Sequence, residues 1–494
     1  MMLGILSLVS VIAATTSPLL AANTVTIAIL FRRSFSDAAL LTGYHLCGVG
    51  VAGFLFVASA RVWGKRHLFL LGTVLMIVSS AWGGASGTNY KSLLWARVVQ
   101  GVALAPFEAL VNACVGDLYF VHERGMRMAW TNVSLFGGAF LTPVIVGKIT
   151  YEIGWSWTFY FVAIFMALML PLLVSLVPET AFKRADYLNT DMEQDTPDRK
   201  SLESRSSPSL TPSPPSTGGV AVGEKSTTTT AAETIAQPKQ KTPYLKTLLP
   251  FNGRKTDEPF FKLLLRPLPL FFHPAILWAC LIQGVIIGWT VLIGVVIAVI
   301  FMGPPLFFNE LRTGYLYTSA FIGSIVGLVL SGLLSDRINK AMIRRNGGQY
   351  EPEFRILLVI PMLLFSATGL YGFGITAANA PRYGWLIPDV FFGFVIVGMV
   401  MGAVAAALYI VDAHREIAVE AFTCLLIFKN MFAFILTYYA NDWIVGSRGL
   451  RGVFIIIGSL QVGICLLSIP MYVFGKRNRS FFARHDILKL THLK

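Results

Sequence analysis

Twelve long apolar stretches, six before and six after a polar segment rich in Ser, Thr and Pro, constrain this chain more than any motif does. A helix needs about 20 mostly apolar residues to cross roughly 30 Å of hydrocarbon, where its backbone must satisfy its own hydrogen bonds. By that rule spans are expected at about 3–22, 40–60, 68–85, 93–115, 130–149 and 159–177, then at about 275–301, 316–334, 356–374, 385–411, 418–438 and 452–474. With 55% of residues hydrophobic, 13% charged and a mean hydropathy of +0.66, no water-soluble core could hide so much apolar surface. The expected fold is an all-α integral membrane protein with twelve transmembrane helices in two six-helix bundles, residues 1–177 and 273–475. A linker at 178–272 joins them and a tail at 476–494 follows.

The formal net charge of +14 would suit a nucleic-acid partner, yet the basic residues sort by membrane side instead. Leaving out the 13 in the long middle segment, 17 Lys and Arg lie on that segment's side of the membrane and 8 on the other. The positive-inside rule then places the linker and both termini in the cytoplasm. The linker contains SRSSPSLTPSPPSTGG and KSTTTTAAE, material too polar to order itself, so it is expected to be a largely disordered tether. Its end, FFKLLLRPLPLFF, reads either as an interfacial helix or as an early start of span seven. The first 22 residues resemble a signal-peptide core without its basic start and are read as span one. Five cysteines, Cys47, Cys114, Cys280, Cys424 and Cys465, all fall in apolar stretches and show neither disulfide nor zinc spacing.

Six spans plus six also suggest internal duplication, with a solute site between the halves. The basic turns SARVWGKR after span two and GLLSDRINK after span eight occupy matching places. In detail these turns and other segments resemble the major facilitator superfamily, and within it the fungal relatives of the twelve-span drug:proton antiporters. The family's GxxxDRxGRR turn is matched after span eight by Gly332, Asp336, Arg337 and Lys340, with Asn339 at a glycine position. After span two Gly64, Lys65 and Arg66 match, and Arg61 stands where an acid is expected. The RxxQG of span four is matched by Arg97, Gln100 and Gly101. The span-five signature GxxxGPxxGG is matched at Gly138, Pro143 and Gly147, with Thr142 and Val146 replacing glycines. APFEAL, GDLYFVHERG, GWSWTF and EPEFR look like the fungal subgroup. The resemblance implies alternating access about a central cavity lined by spans one, four, seven and ten.

Charged residues inside a span cost roughly 2.5–3.5 kcal/mol, so each needs a partner, water or a task. Arg97 and Glu108 on span four lie about 20° apart around the helix and about 16 Å along it. Gln100 and Asn112 fall within about a quarter turn of Glu108, so this face is expected to line the cavity. Glu108 is the candidate titrating or cation-binding group, or else a structural anchor. Arg97, near the outer end, is expected to snorkel or relay protons. Lys429 in span eleven is expected to pair with an acid from another span, and Glu420 is on the wrong side of its helix. Asp412 reads as a loop or cap residue, and His45 as a hydrogen-bonded core residue. Trp289 is expected either to stack on an organic cation or to pack in the core. Asp336 and Arg337 are candidate gate residues, with Gly64, Lys65, Arg66, Gly332 and Lys340 in the same turns. Pro143 permits a bend in span five, and Gly138 and Gly147 permit close packing. Asn132 matches a glycosylation acceptor on the wrong side of the membrane.

These readings converge on a proton-coupled secondary active transporter for small organic solutes, cationic or amphipathic, of the drug or toxin efflux type. The alternatives are a nutrient or polyamine importer and a non-transporting sensor on the same fold. Neither an enzyme's cluster nor a Walker A sequence is present, so no cofactor is expected. Its expected partners are a small-molecule substrate, protons and the lipid bilayer of the plasma membrane. It is expected to act as a monomer, without nucleic acid.

Overall fold

The computed structural model describes residues 2–119, 121–180, 248–249, 251, 253–256, 258–446, 449–485 and 487–493, and every regular element among them is helical. Eleven of these helices are long and apolar enough to cross a membrane. They are Phe35–Trp63, Arg66–Gly84, Tyr90–Val115, Trp130–Ile153, Trp155–Leu176, Pro274–Met302, Glu310–Arg345, Pro352–Ala377, Leu386–Ala413, Arg415–Ile444 and Gly449–Phe482, here spans two to twelve.

Span one departs from the expectation of one continuous helix over 3–22. It is broken into α1 (Met2–Thr15) and α2 (Thr24–Leu30), with a short turn of helix at Ala21–Asn23 between them. The Thr15 and Thr16 hydroxyls donate back to the Ile12 and Ala13 carbonyls at 2.6 and 2.7 Å, and Pro18 has no N–H with which to continue the ladder. Span seven is irregular as well: a π-helical turn at Cys280–Gly284 separates Pro274–Ala279 from Val285–Met302. Such turns leave main-chain groups displaced from the regular ladder.

Packing follows the division of the chain. One apolar core joins Leu6, Val49, Phe69, Phe107 and Phe159 from the first six spans, and another joins Ile286, Phe373, Met401 and Phe454 from the last six. Two seams connect them. Spans two and eleven run side by side, with Tyr44 and Phe434 rings 5.5 Å apart. Spans five and eight cross where a Cβ on Gly147 would lie 2.6 Å from the Glu310 carbonyl oxygen and one on Gly314 would lie 2.6 Å from that of Pro143. Only hydrogen at both positions permits this approach. Pro143 itself lies inside the unbroken helix Val121–Ile153.

The tether expected over most of the linker lies outside the described residues. Its described end forms helices Phe260–Leu265 and Pro267–Leu270, distinct from span seven. Leu263 is buried against Ala58 and Val62 of span two, while Phe261 and Phe272 are 73% and 84% exposed. That two-sidedness fits an interfacial strap, since a solvated surface alone would favour polar residues at both positions.

Spans two and four approach closely at Gly101, where a Cβ would lie 2.9 Å from the His45 carbonyl carbon. Both atoms belong to helix backbone and cannot rotate away. Gly101→Ala is therefore expected to destabilise the fold by about 1–3 kcal/mol, read as a lower melting temperature of the purified protein in detergent.

Candidate functional site

The halves are joined by an ion pair inside the membrane. Lys429 Nζ donates to Glu108 Oε1, linking span eleven to span four, with side chains only 17% and 22% exposed. Glu108 lies ten residues from the end of its helix at Leu118, and Lys429 eleven residues from the start of its own at Ala418. At 1.5 Å per residue both sit roughly 15–16 Å in from the linker face. The pairing of Lys429 with an acid from another span, expected from the sequence, thus falls on Glu108.

The rest of the span-four polar face divides among neighbours instead of sharing one cavity. Arg97 does not snorkel: it is fully buried. Its Nη1 donates to the Thr16 carbonyl and to Gln100 Oε1, both at 2.6 Å, with longer contacts to the Ser17 and Leu41 carbonyls. The break in span one supplies these acceptors, because Thr16 and Ser17 follow the last turn of α1, where carbonyls lack helical partners. Gln100 passes the chain on to Ser80 Oγ of span three at 2.8 Å. Asn112 turns to span five, donating to Asn132 Oδ1 at 3.1 Å and accepting from Thr131 at 2.7 Å. His45 Nδ1 lies 3.3 Å from the Arg97 carbonyl. Glu108 is the residue by which this helix pairs with a charge of the second half.

Closer to the linker face, Arg61 makes an inter-half contact where the sequence showed only a missing acid. Its Nη1 lies 2.5 Å from Glu420 Oε1 at the start of span eleven, and Arg266 of the strap lies 3.9 Å from the same oxygen. The contact carries charges in the order base then acid. Arg266 also holds Glu258 at 2.8 Å and donates to the Leu493 carbonyl at 2.7 Å, tying strap to tail.

Within each half the turn between its second and third spans is fixed by charges. In the first, Lys65 Nζ pairs with Asp117 at 2.5 Å, and Glu179 accepts the Lys65 and Arg66 N–H groups at 3.0 Å each. Gly64 turns there at φ +97°, with its missing side chain against the Glu179 carboxylate. In the second, Arg355 donates to Asp412 and to Ser335, both at 2.9 Å, while Tyr350 donates to Asp412. Burial first, then the Asp412 carboxylate, pushes the Tyr350 hydroxyl up to about 12. Glu353 holds Arg479 through two bonds of 2.9 Å. Asp412 is therefore more than a loop or cap residue. Gly332, Asp336, Arg337 and Lys340 are exposed, and the last three have no side-chain partner among the described residues.

Trp289 is 3% exposed, edge-on to Phe432 at 5.5 Å, and its indole N–H has no partner. Sequence reasoning missed other unsatisfied or lightly held groups. Both side-chain polar atoms of Asn23, in the break of span one, are buried without a partner among the described residues, as is Gln283 Oε1 in the π-turn of span seven. Asp389, 7% exposed at the start of span ten, accepts one bond from Ser319 at 2.6 Å. Glu310 accepts from Thr26 at 2.6 Å, joining the halves at the opposite face. A polar residue beside Pro18 and a lone acid near the start of an apolar run were the signals available. His273 and His414 lie ring to ring at 4.7 Å, and burial lowers them to about 4 and about 3. Burial thus favours the neutral form of both near pH 7.

Comparison with known proteins agrees with this architecture. A family model described as Major Facilitator Superfamily matches residues 3–419. Protein HOL1 of Saccharomyces cerevisiae is 22% identical over 475 residues, covering 90% of this chain and 80% of that one. MFS transporter cpaT of Aspergillus oryzae is 22% identical over 459 residues, 90% and 79% of the two chains. Among solved structures, the partially occluded inward-open xylose transporter XylE from E. coli superposes with a TM-score of 0.61 at 14% identity, covering 96% of this chain and 97% of that one.

The Arg61–Glu420 contact can be tested by charge exchange. Arg61→Glu and Glu420→Arg are each expected to lower the melting temperature, and the double variant to recover most of the loss. A coupling of roughly 0.5–3 kcal/mol from the double-mutant cycle is expected for groups in contact. Strictly additive losses would mean that the two groups do not interact.

Proposed function

The chain belongs to the Major Facilitator Superfamily, a family of transporters and not of enzymes, and we propose that it is a proton-coupled secondary transporter exporting small cationic or amphipathic organic solutes. The observation carrying this reading is the Glu108–Lys429 pair. It places one carboxylate, reachable by water, under a cation contributed by the other half of the molecule. Three cations compete for that carboxylate: Lys429, a proton and a positively charged solute. When a proton or a solute displaces Lys429, the tie between spans four and eleven is lost and the halves are free to rock. Because proton and solute exclude each other at Glu108, each turn of the cycle exchanges one for the other.

Among the described residues the unpartnered amide of Asn23, Oε1 of Gln283 and the indole N–H of Trp289 offer neutral donors and acceptors from spans one and seven. A solute bearing an ammonium group and one or two hydrogen-bonding groups matches that set. Proton coupling is also supported by the fold: another solved structure of the same transporter is described as a proton:xylose symporter. The turns holding Gly64, Lys65 and Arg66, and Gly332, Asp336, Arg337 and Lys340, serve as gate elements in this reading. The charge bias of the loops supports a cytoplasmic linker and tail, and the plasma membrane is the location that export from the cell requires.

The test is reconstitution. In vesicles carrying an imposed pH gradient, a lipophilic cation such as tetraphenylphosphonium is expected to move against its gradient. Glu108→Gln is expected to cut that coupled flux by about 5- to 150-fold, the usual range of a coupling free energy between sites, with expression and membrane insertion intact. Unchanged flux and pH dependence in the variant would remove Glu108 from the cycle.

A further inference from the structure

The helix Ser468–Arg484 runs out of span twelve on the linker face and carries two kinds of side chain. Its membrane end exposes Ile469, Val473 and Phe474, each 57–62% accessible. Beyond them Phe474, Arg477, Asn478 and Phe481, spaced i, i+3, i+4 and i+7, line one open groove of about 340 Å³. That spacing puts all four on one face of the helix. The neighbouring cations are committed elsewhere. Arg479 is held by both Glu353 oxygens at 2.9 Å, and Lys476 reaches Glu351 at 3.2 Å. Arg477 has no carboxylate partner among the described residues, and the Asn478 side-chain nitrogen is buried without an acceptor.

We propose that this groove is a binding site for an anionic phospholipid, with Arg477 on the headgroup phosphate and the Phe474 and Phe481 rings flanking the glycerol and upper acyl chains. The order along the helix supports a lipid over a soluble anion. From Ile469 to Arg477 the helix rises about 12 Å, so apolar contacts lead directly from the hydrocarbon to the cation. A free phosphate would have no use for exposed aromatic rings on either side. Charge is complementary as well, since residues 468–494 hold six Lys and Arg against one Asp. The occupant would steady a helix that also fastens the turn after span eight, because the Glu353–Arg479 pair lies one turn along from the groove. The site is separate from the Glu108 centre and does not depend on its role.

Native mass spectrometry of the full chain released from nanodiscs provides the test, with discs of phosphatidylcholine and phosphatidylserine in a four-to-one mixture. The expected result is retained phosphatidylserine enriched over its share of the disc. Arg477→Gln should reduce it about fivefold, roughly the weight of one basic residue at an anionic surface. Arg477→Lys should keep most of it, and Arg451→Gln, near the opposite end of span twelve, should leave it unchanged. Retention in proportion to disc composition, or equal retention by Arg477→Gln, would overturn the proposal. Displacement by inorganic phosphate at matched concentration would also overturn it, by making the ligand a soluble anion.

Discussion

A charge in hydrocarbon survives only with a partner, and the way this molecule satisfies that demand organises everything else in it. Two classes of solution are present. Arg97 is satisfied inside its own half by the Thr16 and Ser17 carbonyls and by Gln100, without any acid. Glu108 and Glu420 are paired across the seam, with Lys429 and Arg61, and Glu420 also lies 3.9 Å from Arg266 of the strap. The first class can persist through any rigid-body motion of the halves. The second has to break whenever spans four and two part from span eleven. Breaking a buried pair by removing one partner costs about 3–5 kcal/mol, and partial exposure of Arg61, Glu108 and Lys429 lowers that figure. A ligand or proton that takes the place of the lost partner recovers part of it, which is the physical basis of coupling.

The two halves solve their local problem in parallel. Lys65–Asp117 and Arg355–Asp412 each bind the turn after a half's second span, or the start of its third, to the end of its fourth. Glu179 and the Glu353–Arg479 pair then join the same region to the end of the half's last span. The chemistry differs while the geometry repeats. In the first half Glu179 accepts two backbone N–H groups, so Gly64 must leave room for its carboxylate. In the second half Glu353 accepts a guanidinium fork, a stronger and more directional contact. Duplication therefore persists in the placement of contacts after it has faded from the residues that make them.

The spans were legible because hydropathy integrates over 20 residues and tolerates local exceptions. What it could not show was the break in span one. The signals, Thr15, Thr16 and Pro18, are each tolerated in a membrane helix, and only their combination stops the ladder. Glu108 and Lys429 stood out as intramembrane charges, and the acid expected for Lys429 was there, but it lies 321 residues away in sequence. The burial of Arg97 was not legible because its acceptors, Gln100 apart, are backbone carbonyls, which carry no sequence signature. Arg61 was read as a lost acid because one position was considered alone. Its meaning depends on Glu420, 359 residues distant, whose own charge makes the pair whole. Gln100 and Asn112 shared a helical projection with Glu108, yet a projection does not say which neighbour stands opposite each 20° of arc.

The seams also differ between the two membrane faces in a way that bears on motion. On the linker face they are ion pairs, Arg61–Glu420 and, deeper, Glu108–Lys429. On the far face they are hydrogen bonds from hydroxyls to acids, Thr26 to Glu310 at 2.6 Å and Ser36 to Asp442 at 3.0 Å. A hydroxyl released from an acid at the membrane edge is resatisfied by water at little cost. A buried lysine released from its carboxylate is not, unless something replaces it. In the proposed cycle the hydroxyl ties of the far face are the cheaper to break, whereas separation on the linker face waits for a cation at Glu108. At that far face the Gly147–Gly314 crossing, with backbones in contact and no side chains to interlock, gives the halves a bearing on which to turn. In that proposed cycle the occupancy of one carboxylate decides which face opens, the dependence that exchange requires.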